Sequence, residues 1–186
     1  MENVELTLIA LGLAMDAFAV AICKGISAYR NVAGKSVIVG IWFGIFQALM
    51  PAIGYFLGSK FEVFMNSFAN LAAFFLLSFI GINMLNEVYK KEENNINEGF
   101  DAKTMFILAI ATSIDALTIG ITFSFFDVNI ILASLIIGGV AFIMSFIGVI
   151  IGNKFGDKYG KNAQLVGASI LILLGIKNLL EHFDIY

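Results

Sequence analysis

A chain of 186 residues in which apolar side chains run on for some twenty positions at a time has few folds open to it. The runs cover 4–26, 37–58, 67–85, 104–126, 128–152 and 163–180. Each is close to the ~20 residues an α-helix needs to cross the hydrocarbon core of a bilayer. None alternates as a lipid-facing strand would, so helices are the remaining way to satisfy the backbone in lipid. The expectation is an all-α membrane protein with six transmembrane helices. Composition agrees: 60% hydrophobic and 13% charged residues, with a mean hydropathy of +0.93, stand far from the soluble average of about 25% charged. The first run is too long for the apolar core of a signal peptide and follows no positive leader, so it is expected to stay as a helix. Nothing in the composition suggests nucleic-acid binding.

Charge placement orients the helices. Lys24, Arg30 and Lys35 lie between runs one and two, Lys90, Lys91 and Lys103 between three and four, and Lys154, Lys158 and Lys161 between five and six. These are nine of the eleven basic residues, and the positive-inside rule places their loops in the cytoplasm and both termini outside. Residues 87–103, with Lys90-Lys91-Glu92-Glu93-Asn94-Asn95, read as a solvated linker. It separates three runs in 1–86 from three in 104–186. A single cysteine, Cys23, excludes an internal disulfide, a redox pair and a cysteine-based zinc cluster.

Two runs carry an aspartate in matching surroundings. Asp16 lies in Ala14-Met15-Asp16-Ala17-Phe18-Ala19 and Asp115 in Ser113-Ile114-Asp115-Ala116-Leu117-Thr118. A shift of 99 residues, from 16 to 115, also aligns Ala10, Ala14, Ala17 and Ala21 with Ala109, Ser113, Ala116 and Gly120. A shift of 94, from 54 to 148, aligns Gly54-x-x-x-Gly58 with Gly148-x-x-x-Gly152, then Gly81 with Gly175 and Glu87 with Glu181. Three crossings per half is an odd number, so the halves are expected to be inverted-topology repeats, an architecture of secondary transporters with sites near the bilayer midplane. The small residues are expected to bring the first and fourth helices together. An intramembrane Asp is costly, roughly 2.5–3.5 kcal/mol at a helix centre on insertion scales. One such residue can serve as a helix-to-helix hydrogen bond; the repetition argues for function.

Two carboxylates held together in a low dielectric need a proton or a cation between them, and a divalent ion balances the pair. Further oxygens are at hand. Thr112 and Thr118 flank Asp115 at three residues, and Ser113 lies beside them. Pro51, the only proline, cannot donate to the carbonyl of Gln47, and Gln47 adds its own amide at that depth. Carboxylates, carbonyls and hydroxyls suit hard ions such as Mg, Ca and Mn rather than Zn or Cu. Met50 and Met144 correspond under the second shift, although methionine in helices more often packs. His182 and Lys177, near the outer end of the last run, read as interfacial.

The two aspartate motifs, the Pro51-x-x-Gly54 turn and Gly81 with Glu87 resemble the MntP-type manganese exporters, a branch of the lysine-exporter superfamily, over essentially the whole chain. The resemblance implies a six-helix manganese efflux pump of a bacterial or archaeal plasma membrane, with Asp16 and Asp115 as central acidic positions. Relatives can carry Glu where this chain has neutral Gln47. Mn²⁺ would be the transported substrate rather than a cofactor, membrane lipid the surroundings, and protons the simplest coupling ion. Competing readings are an exporter of another cation or of an amino acid, and an intramembrane aspartyl protease. The Gly-x-Gly-Asp and Tyr-Asp contexts of such proteases are absent, so no enzyme is expected. A direct ATP drive is not expected either, since there is no Gly-x-x-x-x-Gly-Lys-Ser/Thr loop.

Overall fold

The computed structural model describes residues 3–28, 31–58, 74–75, 78, 81–82, 85, 100–126, 128–159 and 161–182. The regular elements bounded among them are helices: α1 (Asn3–Ile26), α2 (Val32–Leu57), α3 (Ala102–Ala111), α4 (Ile114–Phe123), α5 (Ile130–Tyr159) and α6 (Lys161–His182). α1, α2 and α5 are each long and apolar enough to cross a membrane, and α3 with α4 passes the same test as a pair bent by 44°. The third apolar run and the 87–103 linker, save for a few residues such as Phe100, lie outside the described residues.

Local chemistry sets the ends. Asn31 adopts the left-handed region (φ 50°), which Asn tolerates better than most residues, and its side chain accepts from the Gly34 N–H. α2 therefore starts five residues before the apolar run does. Gly58 closes it at φ 55°, a conformation that favours glycine. Asp101 caps α3, accepting from the Thr104 N–H at 3.0 Å and the Thr104 hydroxyl at 2.8 Å.

The fourth apolar run is not one straight helix. Thr112 and Ser113 donate their hydroxyls back to the carbonyls of Leu108 (3.0 Å) and Ala109 (2.5 Å). Such back-bonding bends helices, and here α4 restarts on a new axis at Ile114. Asp115 accordingly sits in the first turn of a half-helix, not in mid-helix as the sequence suggests.

Packing is built on glycine. A Cβ added at Gly148 would lie 2.9 Å from the Phe18 carbonyl oxygen, one at Gly152 would strike the Ile22 carbonyl, and one at Gly156 would lie 2.5 Å from that of Ile26. Both series rise together, so α1 and α5 run parallel. On α2, Gly54 abuts the Leu117 carbonyl and Gly120 of α4 abuts that of Pro51, while Gly58 faces Ser124. α2 and α4 are parallel too. Against α5, however, Gly40 meets Phe142 and Gly44 meets Gly138, an antiparallel crossing. The small faces of α1 and α4 thus do not pack extensively on each other, contrary to the sequence expectation. Each packs on a glycine face of the other half.

The surface is inverted relative to a soluble protein. α2 buries Ser36, Gly40, Gly44, Gln47, Pro51 and Gly54 and exposes Val37, Ile41, Ile45, Leu49, Ile53 and Phe56. In water such a stripe would be an aggregation liability; in a bilayer it faces lipid. At one end of the bundle the Phe100 ring lies under Lys24 Nζ (5.4 Å to the centroid) and Lys35 Nζ (5.0 Å). At the same end Asn153 Nδ2 donates to the Ala28 carbonyl at 2.6 Å. This is the basic end of the molecule. Trp42, Phe46 and Phe106 stack between α2 and α3.

Candidate cation site between the helices

Asp16 lies on α1 between Ala14 and Ala17, both fully buried, and is itself only partly accessible. Asp115 is also partly accessible, and its Oδ1 accepts from the Ala116 N–H at 2.8 Å. The Asp16 carboxylate bears on Asp115 electrostatically, and so, with opposite sign, does Lys177 of α6. The two aspartates therefore come into one electrostatic neighbourhood, although their helices make little direct contact. Lys177 was not legible as part of it, because a lysine near a helix end reads first as a headgroup anchor.

Gln47 is fully buried. Its Nε2 donates to the Leu13 carbonyl at 3.1 Å, which ties α2 to α1 one turn before Asp16. Its Oε1 is buried without a hydrogen-bond partner. A buried amide oxygen left unmatched costs about 1–3 kcal/mol and calls for a water or an ion. Pro51 lies one turn further on, also buried. It cannot supply the N–H that would ordinarily donate to the backbone carbonyl of Gln47, in the same turn as the unmatched amide oxygen.

Thr112 and Ser113 are buried at the α3–α4 break, with their hydroxyl protons committed to α3 carbonyls. Their oxygens keep lone pairs that can face a cation. Thr118 is partly buried one turn after Asp115, and its carbonyl accepts from the Thr122 hydroxyl at 3.2 Å. Met50 packs against the apolar cluster of Leu6, Ala10, Leu13 and Ile137, the packing role expected of it. Glu87 lies outside the described residues. Among the described residues no group of three or more His, Cys, Asp or Glu gathers. Carboxylates together with neutral amide and hydroxyl oxygens are the donor types of a hard ion.

Residues 30–179 match a family described as "Putative manganese efflux pump". Proteins called "Putative manganese efflux pump MntP" align over nearly the whole chain. That of Desulfitobacterium hafniense is 52% identical over 98% of this chain and 96% of its own. That of Acetivibrio thermocellus is 48% identical over 100% and 94%, and that of Clostridium botulinum (strain Loch Maree) 42% over 100% and 98%. No solved structure matches. With a family match over most of its length and relatives collinear from end to end, the chain belongs to the MntP family.

Proposed function

We propose that the protein is a secondary exporter of Mn²⁺ in the plasma membrane. The ion binds near the bilayer midplane between Asp16 and Asp115, with Gln47 and the Thr112–Ser113 break supplying neutral oxygens. Access alternates by movement of two inverted three-helix repeats, 1–86 and 104–186, joined by the cytoplasmic linker 87–103. The observation that carries the site is the unmatched, fully buried Gln47 Oε1 in the turn opened by Pro51, tied to the helix that bears Asp16. Manganese as the ion follows from the relatives' names and from the oxygen-only donor set.

Support for the repeat comes from paired contacts. Gly54 abuts the Leu117 carbonyl, and their counterparts under the shifts of 94 and 99, Gly148 and Phe18, meet in the same way. Gly44 and Gly138 are themselves counterparts and touch each other. Gly44 also meets Phe142 while Gly138 meets Ala48, a reciprocal pair. Reciprocal contacts of this kind are what a twofold axis through the α2–α5 crossing would produce, and they support the reading.

The basic end is cytoplasmic on this reading. Proton exchange is the simplest coupling: a carboxylate pair that surrenders a divalent ion outside can return carrying protons. The test is uptake of Mn²⁺ into inside-out vesicles under an imposed proton gradient, compared with Zn²⁺, Ca²⁺ and lysine. Accumulation of Mn²⁺ that needs the protein and the gradient is expected. Lysine uptake, or Mn²⁺ movement that merely equilibrates, would replace the reading with an amino-acid exporter or a channel.

A further inference from the structure

The basic end of the bundle is closed by backbone contact. Near the crossing, both counterpart contacts are tight: Gly54 on Leu117 and Gly148 on Phe18. Toward the basic end, Gly152 on α5 still abuts the Ile22 carbonyl, and Gly156 keeps its added Cβ within 2.5 Å of the Ile26 carbonyl. With α1 and α5 in backbone contact over these turns, the basic end is shut.

Two further contacts bridge that shut end, and both join elements that opening must separate. Asn153, on the α5 turn between Gly152 and Gly156, donates to the carbonyl of Ala28, just past α1. Phe100, immediately before α3, lies under Lys24 of α1 and Lys35 of α2. Its ring also packs against the core cluster that includes Ala17, Val20, Val39 and Phe43. It thus holds three helices at one point and gathers two ammonium groups there.

We propose that Phe100, clamped by Lys24 and Lys35, and the Asn153–Ala28 hydrogen bond form a cytoplasmic latch that holds this exporter closed to the cytoplasm. The inference rests on the inverted-repeat exporter reading. Releasing the latch lets α1 and α5 separate at the basic end and admits the ion.

The native chain carries its own reporter. Cys23, its only cysteine, is buried one turn inside that end, its thiol donating to the Gly167 carbonyl at 3.3 Å. Alkylation of Cys23 in the reconstituted full-length protein, by a maleimide added on the cytoplasmic side, reads the latch. Loss of one net hydrogen bond shifts a two-state equilibrium about fivefold, and loss of an exposed cation–π pair a few-fold. Asn153→Ala and Phe100→Leu, which keeps apolar bulk without the ring, are each expected to raise the rate by about these factors. Together they should act multiplicatively. Asn129→Ala, which removes a cap hydrogen bond to Leu132 at the other end of α5, should leave Cys23 protected.

Unchanged Cys23 reactivity in both latch variants, or an equal rise in Asn129→Ala, overturns the latch. The same proteins are assayed for Mn²⁺ uptake into inside-out vesicles. Wild-type export with an unmoved Cys23 sinks only the latch, whereas absence of wild-type export sinks the underlying reading and the latch with it.

Discussion

Replacing Gly54 with alanine tests the packing at its tightest point. The added methyl would fall on the Leu117 carbonyl oxygen of α4 and lie 2.9 Å from the Ile121 nitrogen and 3.1 Å from the Leu117 carbonyl carbon. All are backbone atoms of a helix, so no rotamer change relieves them. A carbon and a carbonyl oxygen rest at about 3.3–3.6 Å, so α2 and α4 must separate by roughly 1 Å. Overpacking of this kind costs about 1–3 kcal/mol, against which alanine recovers about 1 kcal/mol of helix propensity. The net expectation is a loss of roughly 0–2 kcal/mol, which sets it about 1–3 kcal/mol below an unobstructed Gly→Ala change. Gly12 and Gly139 provide the comparison, because an added Cβ meets nothing within 4 Å at either. Alanine there should be neutral or stabilising.

Gly148→Ala falls between: it meets the Phe18 carbonyl at 2.9 Å, but its other contacts are side-chain atoms of Ala21 and Phe18 at 3.0 and 3.1 Å. Thermal unfolding of the four purified variants in one detergent, followed by size-exclusion chromatography, gives the order directly. Because Leu117 lies two residues after Asp115, Gly54→Ala should also reduce Mn²⁺ export by more than its stability loss accounts for. A Gly54→Ala protein as stable as Gly12→Ala would refute the backbone-contact argument.

Asp16→Asn and Asp115→Asn should each abolish Mn²⁺ export while the proteins still insert and purify; near-normal manganese tolerance at matched protein level would remove the central site. Gln47→Glu should change metal preference or pH dependence of transport, and Gln47→Leu, which also loses the Leu13 hydrogen bond, should impair it more; unchanged transport in both places that turn outside the pathway. The two hydrogen bonds from Thr104 hold the Asp101 carboxyl below the usual carboxylate range. Its stabilising share is therefore present above that range and lost as pH falls through the lowered value. Asp101→Ala should cost about 1 kcal/mol at neutral pH, and Asp101→Asn should keep the cap and lose the acid sensitivity, as urea unfolding across pH would report. A cysteine at Asn94 should react with an impermeant maleimide only in inside-out vesicles; labelling in intact cells reverses the topology.

Much of the framework was legible because lipid demands one simple pattern. The first, second and fifth apolar runs became α1, α2 and α5 within a few residues at most ends, and where α2 started early the cause was a cap, Asn31, outside the apolar pattern. The break in the fourth run was not legible. Thr112 and Ser113 read as possible ligands, and whether their hydroxyls turn toward a neighbour or back onto their own helix depends on tertiary packing. Helix partners were not legible either. Small faces say that something packs closely, not which helix does, and here the backbone of α1 at Phe18, Ile22 and Ile26 answers the glycines of α5. The recurrence of the two aspartate motifs 99 residues apart, 16 to 115, is a sequence property and needs no knowledge of the packing to be seen.

On the inverted-repeat reading, the two halves share glycine contacts near the crossing and differ at the residues proposed to meet an ion. The counterpart of the Thr112–Ser113 break is Leu13–Ala14, where α1 runs on unbroken. Its exposed polarity there is the Leu13 carbonyl, which accepts the Gln47 amide. The counterpart of Gln47 is Ala141, and that of Pro51 is Ser145. So one half contributes an opened turn with an unmatched amide oxygen and the other a broken helix with two buried hydroxyls. A perfectly symmetric carrier would present the same ligands to the ion in both of its states, and a ligand with equal affinity for two states shifts neither. An exporter has to capture the ion on one side and release it on the other. At the proposed site, unequal neutral oxygens around an equal pair of carboxylates would give the two states different affinities without changing the charge that the site must balance.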